Sequence, residues 1–284
     1  MKLELILDAK ATLGEGPAWD SKTQTLYWLD VLEKRIYAGT RILAELDDFI
    51  GCLAPCKNGN LILGKRAALV DFELGSSQQT VLAALSDAER ATNRVNDGKC
   101  DPAGRFIAGS MDMNEKDPNG ALYSFDGKQV TRLLDGITIS NGLAWNVDHK
   151  TFYYIDTPTR EVKTFDYDLA TGQIANPRVA IYIPESLGWP DGMTSDTDGN
   201  LWIAMWGGAQ VTKWNPGTGK LLEQISVPAL HTSSCVFGGK DMNELFITSA
   251  RKGMSEVDLK KYPLSGGLFK VISNVEGMPT FEFG

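Results

Sequence analysis

Four oxygen-bearing side chains stand at equivalent places in a recurring pattern. Glu15 precedes Gly16, Asn141 precedes Gly142, Asp191 precedes Gly192, and Asn96 lies two before Gly98 with Asp97 between. Taken singly, Asn-Gly and Asp-Gly are turn dipeptides. Taken together, each stands just ahead of the first strand of a repeat unit. If those strands surround one axis, the four side chains converge. Carboxylates and amides crowded into a confined space need a partner, because unpaired buried charge is costly. Their hard oxygens suit Ca²⁺, Mg²⁺ or Mn²⁺ better than a thiolate-seeking metal. Three or four protein ligands would leave coordination positions open for water and substrate, the arrangement of a catalytic cation.

The elements that must position these residues are visible as an internal repeat. A small residue opens a short strand, a polar turn follows, and an aromatic-rich strand comes next. The clearest copies run Gly16-Pro17-Ala18-Trp19-Asp20 into Leu26-Tyr27-Trp28-Leu29-Asp30, Gly142 to Asn146 into Phe152 to Asp156, and Gly192 to Asp196 into Leu201 to Trp206. Weaker copies open at Gly51, Gly98 and Ser234, where Ile50 and Ser233 take the preceding place in the second and sixth units. Successive starts lie 35 to 50 residues apart, room for about four strands and their turns. In the fourth unit the strands are expected at 142–146, 151–156, 162–168 and 173–183. No segment carries a sustained 3.6-residue apolar period, and residues 81–93 have room for one short helical turn.

Six such units predict an all-β chain, a six-bladed β-propeller of four-stranded antiparallel blades forming a single domain over residues 1–284. The sixth unit is one strand short. The N-terminal run Leu3-Glu4-Leu5-Ile6-Leu7 is expected to supply it, closing the ring and covering an edge.

Composition removes other classes. The net charge of -8, with basic runs no longer than Arg251-Lys252 and Lys260-Lys261, offers no basic stripe for nucleic acid or an anionic membrane. Charges interrupt the first apolar run, and no stretch approaches the ~20 apolar residues of a spanning helix, so a cytoplasmic location is expected. Cys52, Cys56, Cys100 and Cys235 form no C-x-x-C pair and read as small buried thiols. His149 and His231 are the only histidines, which excludes a multi-histidine zinc site. His149, in a predicted turn, is expected to be exposed, and His231 to be a bystander near the site.

The same motifs resemble the senescence-marker-protein/gluconolactonase/regucalcin family along nearly the whole chain. The pieces are Leu13-Gly14-Glu15-Gly16-Pro17, Arg94-Val95-Asn96-Asp97-Gly98-Lys99, Ile139 to Trp145, Pro190-Asp191-Gly192-Met193, Thr232 to Gly239, and Gly266-Gly267-Leu268-Phe269. The resemblance implies a propeller with one divalent cation, Ca²⁺ first, with Zn²⁺, Mg²⁺, Mn²⁺ or Fe²⁺ as alternatives. It implies Glu15, Asn141 and Asp191 as metal ligands, Asp191 also as general base, and Arg94 and Asn96 as substrate contacts. Some relatives place a substrate-binding acid in the loop that is 112–119 here. That loop offers Asp112, Glu115 and Asp117, with Glu115 taken as the substrate contact. The activity implied is hydrolysis of a small-molecule sugar lactone, such as an aldonolactone, by a monomer or dimer. A phosphotriesterase-type hydrolase and a non-catalytic calcium-binding propeller are the other readings. Trp206 and Trp189 could each face a sugar ring or pack between blades, and loop 112–119 could be a lid or a surface hairpin.

Overall fold

The computed structural model describes residues 2–284, apart from the side chain of Ala88. Its strands form six four-stranded antiparallel sheets. The inner strands of blades one to six are Gly14–Asp20, Ile50–Pro55, Asn93–Cys100, Ser140–Trp145, Trp189–Ser195 and His231–Gly238. Each packs against the inner strands of both neighbouring blades, so the six close into a ring. This is the expected propeller, and the fourth blade follows the predicted strands to within two residues.

The sixth blade has the order Leu3–Leu7, Leu268–Ile272, Glu244–Ala250, His231–Gly238. The N-terminal strand pairs antiparallel with the last one, Leu3 opposite Val271 and Leu5 opposite Phe269. The two ends of the chain are thereby joined within one sheet, as the repeat count required.

Blades are held by apolar side chains between sheets. Trp28 and Trp202, which are 1% and 0% exposed, fill interblade space that smaller residues would leave open. The predicted polar turns close by one device in four blades. Asp20, Asp101, Asn146 and Asp196, each at or just past the end of an inner strand, accept backbone N–H groups from the turn that follows.

Two α-helices lie outside the repeat among the described residues. The helix Asp87–Thr92 occupies the segment where one helical turn was expected. A second helix, Glu256–Lys261, was not expected. It has only six residues, too few for an apolar period, but Ser255 and Asp258 form a reciprocal capping box that starts it. The C-terminal segment then crosses the far mouth of the channel. Met278 N donates to Ser195 O of blade five, Phe283 N to Pro55 O of blade two, and Gly284 N to Gly104 O of blade three. His149 is a correction to the sequence reading. It is half-buried because this strap brings Phe281 edge-on against its ring, at 5.5 Å.

Candidate metal and substrate site at the channel mouth

Every inner strand breaks register at the same place. The shifts fall between Glu15 and Ala18, Ile50 and Cys52, Val95 and Gly98, Asn141 and Leu143, Pro190 and Met193, and Thr232 and Ser234. A bulge adds a residue to one strand and re-aims its side chain. Glu15, Asn96, Asn141 and Asp191 each border or occupy one of these bulges. The Asn-Gly and Asp-Gly pairs are therefore not hairpin turns. Their glycines serve close approach: a Cβ on Gly192 would lie 2.0 Å from Ser234 Oγ, and one on Gly142 would lie 2.7 Å from Met193 Cβ, both in the next blade.

The bulges of blades one, three, four and five open on one cavity of about 410 Å³ at one end of the channel, within the range of small-molecule sites. Glu15, Arg94, Asn96, Asn141, Asp191 and Glu115, all named from sequence, line it together. Asp112 does not. Its carboxylate turns back to accept Lys116 N and Asp117 N, which shapes the loop that presents Glu115. Asp117 is exposed outside the cavity.

Two carboxyls face the cavity without a counter-ion. Among the described residues no ion pair closes on Glu15 or Asp191 and no side-chain hydrogen bond closes on Asp191, while Glu15 accepts only its neighbour Gly16 N, at 3.0 Å. Burial pushes Glu15 up to about 8, with the negative charge of Asp97 adding to it and Arg94 opposing it. Burial also holds Asp191 well above the usual carboxylate range, reinforced by Glu15 and Asp97. Such a pair is stabilised in its ionised form by a cation between its members.

The amide of Asn141 is oriented by a residue that sequence reading missed. Thr157 Oγ1 accepts Asn141 Nδ2 at 2.7 Å and donates to Pro190 O at 2.8 Å. With its nitrogen so engaged, Asn141 turns its oxygen away from Thr157, and this Oδ1 accepts Asn96 Nδ2 at 3.1 Å. No three His, Cys, Asp or Glu side chains cluster as metal ligands among the described residues. The expected set contains only two such groups and completes itself with an amide. Two uncompensated carboxylates and one oriented amide oxygen are hard donors that fit a divalent cation with open positions.

Around them stand Arg94, buried with Nη1 on Val95 O at 3.2 Å, and two tryptophans. Arg160 lies over the Trp189 ring at 3.6 Å, and His231 stacks on Trp206 at 4.2 Å. Both indoles thus combine a packed face with a place in the cavity wall, and His231 acts as backing for one of them. Lys252 also lines the cavity and pairs with Glu115. In the sequence it was visible only as half of a short basic run.

Fold and site together define a six-bladed propeller whose channel mouth carries a small-molecule cavity lined by carboxyl and amide oxygens. The profile of the SMP-30/Gluconolactonase/LRE-like region matches residues 13–251, and the chain belongs to this family. It is similar to regucalcin of Danio rerio, 37% identical over 294 aligned positions that span 100% of this chain and 98% of the relative. Among solved structures, a luciferin-regenerating enzyme matches with a TM-score of 0.90 at 31% identity over 99% of both chains. A regucalcin from Agrobacterium tumefaciens, described as a calcium-binding protein, matches at 0.93 and 25% identity, covering 99% of this chain and 96% of that one. No helix among the described residues is long and apolar enough to cross a membrane.

Proposed function

We propose that this protein hydrolyses a sugar lactone to the open hydroxy acid, using one divalent cation held by Glu15, Asn141 and Asp191. The observation that carries the reading is the pair of cavity-facing carboxyls without a counter-ion, set beside a buried arginine. Once bound, the cation would polarise the lactone carbonyl and make hydroxide available near neutral pH. Asp191 takes the proton of the attacking water, whose oxygen bonds to the carbonyl carbon. Arg94 faces the developing oxyanion. The ring C–O bond then breaks and the proton passes to the ring oxygen, so no covalent enzyme intermediate is needed. Asn96 and Glu115 hold ring hydroxyls.

Eight of the fourteen lining residues are polar or charged, which favours a sugar over the hydrophobic ester of a phosphotriesterase. The calcium-binding description of the Agrobacterium relative favours a second reading, a propeller that binds Ca²⁺ without turnover.

A pH-indicator assay separates them. Metal-stripped protein is tested on five- and six-membered aldonolactones, with Ca²⁺, Mg²⁺, Mn²⁺, Zn²⁺ or Fe²⁺ restored, beside Asp191→Asn. The expected outcome is metal-restored turnover that the variant lowers by about 10²–10⁴-fold. Hydrolysis no faster than background with every cation rules the lactonase out.

A further inference from the structure

The ion pair between Lys252 and Glu115 joins opposite sides of the ring. Glu115 hangs from blade three, after the strand Phe106–Asp112, and Lys252 follows the strand Glu244–Ala250 of blade six. Their side chains are 39% and 34% exposed, so the pair lies at the rim of the cavity, not beneath it. The two backbones are held differently. Lys252 N donates to Thr12 O at 2.8 Å and Arg251 N to Ala11 O at 3.2 Å, which ties the lysine to the start of blade one near Glu15. Glu115 sits at φ +61 in the turn shaped by Asp112.

With a divalent cation bound, the charged side chains that line the cavity would not balance; Asp97, whose charge is also felt there, is opposed by Lys99. Glu15 and Asp191 together cancel a divalent ion. Glu115 then stands alone against two cations. Its charge is the strongest acidic influence on Arg94, and Lys252 pairs with it from the other side. One unit of positive charge is left over inside a partly enclosed site, where field lines are focused and an anion is drawn in. The lysine is also near enough for its charge to be felt at Asp191. Its long stem lets the ammonium swing between Glu115 and a ligand without moving the anchored backbone.

We infer that Lys252 is a substrate-contacting specificity residue that selects lactones bearing a second acid group, the monolactones of sugar diacids, over neutral aldonolactones. The inference rests on the lactonase reading and names its substrate class. The remote carboxylate of such a lactone meets the surplus charge at the rim while the ring carbonyl lies over the cation. Binding energy gained away from the reacting bond then orients the bond that breaks.

The test compares the 1,4-lactone of glucaric acid with a neutral 1,4-aldonolactone, on wild type, Lys252→Met and Lys252→Arg. Calorimetry with the open products, glucarate and gluconate, accompanies it. Wild type is expected to favour the diacid lactone in kcat/KM by about tenfold or more, the weight of one charge-assisted contact. Lys252→Met brings that ratio close to one, chiefly through KM, and Lys252→Arg keeps most of it. A wild-type preference for the neutral lactone, or an unchanged ratio in Lys252→Met, overturns the inference. If neither lactone is hydrolysed, the lactonase reading falls and calorimetry decides. Tighter binding of glucarate than gluconate that Lys252→Met abolishes keeps Lys252 as an acid-recognising residue, and equal binding removes that role as well.

Discussion

Glu15 and Asp191 face the same cavity, and among the described residues neither closes an ion pair with a basic side chain. Burial raises both, Glu15 to about 8. The metal-free native state therefore keeps a proton on Glu15 that the unfolded chain, titrating near 4.5, has already lost. Its contribution to stability is complete below that unfolded value and is lost as pH rises towards 8. We expect the Tm of metal-stripped protein to fall between pH 5 and 8, and saturating Ca²⁺ to flatten the slope by accepting the ionised pair. Even ~1 kcal/mol is worth about 2–4 °C in a domain of this size. A flat profile in chelator would count against a free carboxyl pair. Thr157 supplies a second expectation. Thr157→Val removes the partner of Asn141 Nδ2 and frees the amide to rotate. Cation affinity by calorimetry should weaken by about 10–100-fold, as when the partner that orients a ligand is lost. Unchanged affinity would mean that Asn141 is oriented by Asn96 alone. The identities of Glu15, Asn96, Asn141 and Asp191 were legible because each sits at a fixed offset in a repeat. Thr157 and Lys252 were not, because they lie in connections between strands, where length and sequence vary from blade to blade.

At the scale of the element, the bulge in each inner strand matters most. A flat strand would send neighbouring side chains alternately to its two faces. The extra residue lets Glu15 and Asp191 leave that alternation and face the cavity. The glycine that follows allows the next blade to come close. Gly192→Ala would force a Cβ to within 2.0 Å of Ser234 Oγ. It should cost about 1–3 kcal/mol by overpacking and lower cation affinity by displacing Asp191. Gly75→Ala, where a Cβ meets nothing within 4 Å, should stay within ~0.5 kcal/mol. Equal urea midpoints for the two variants would refute the close-packing role. Strand positions were readable from the alternation of turn clusters and aromatic runs. The bulges were not, because a glycine after a polar residue has the same spelling in a hairpin turn and in a bulge. The helix Glu256–Lys261 escaped for a related reason: its start signal, Ser255 with Asp258, is local, but six residues cannot display a period.

For the whole molecule, closure is the organising fact. The N-terminal strand completes blade six, and the C-terminal strap spans blades five, two and three on the face opposite the cavity. Phe283 stacks on Phe125 at 5.5 Å within that strap. Removing residues 277–284 should cost at least about 3 kcal/mol, from about 1 kcal/mol for each of the three strap hydrogen bonds before the burial of two phenylalanines is added. The Tm should drop by about 5 °C or more, with greater quenching of tryptophan fluorescence as the far mouth opens. A truncated protein of unchanged Tm would make the strap ornamental. Closure of the N-terminal strand could be read from sequence by counting: six inner strands demanded twenty-four strands, and one was missing. The strap could not, because its partners are single backbone groups in three distant blades, and backbone groups carry no sequence signal. The sequence by itself determined the number of blades, the strands and the acids and amides that begin them, since repetition puts equivalent residues in equivalent places. Only the tertiary structure decided which acid of loop 112–119 enters the cavity, that Lys252 meets it from the far side of the ring, and that two carboxyls are left without a counter-ion. Those are relations between blades, fixed by distances across the channel that no spacing along the chain encodes.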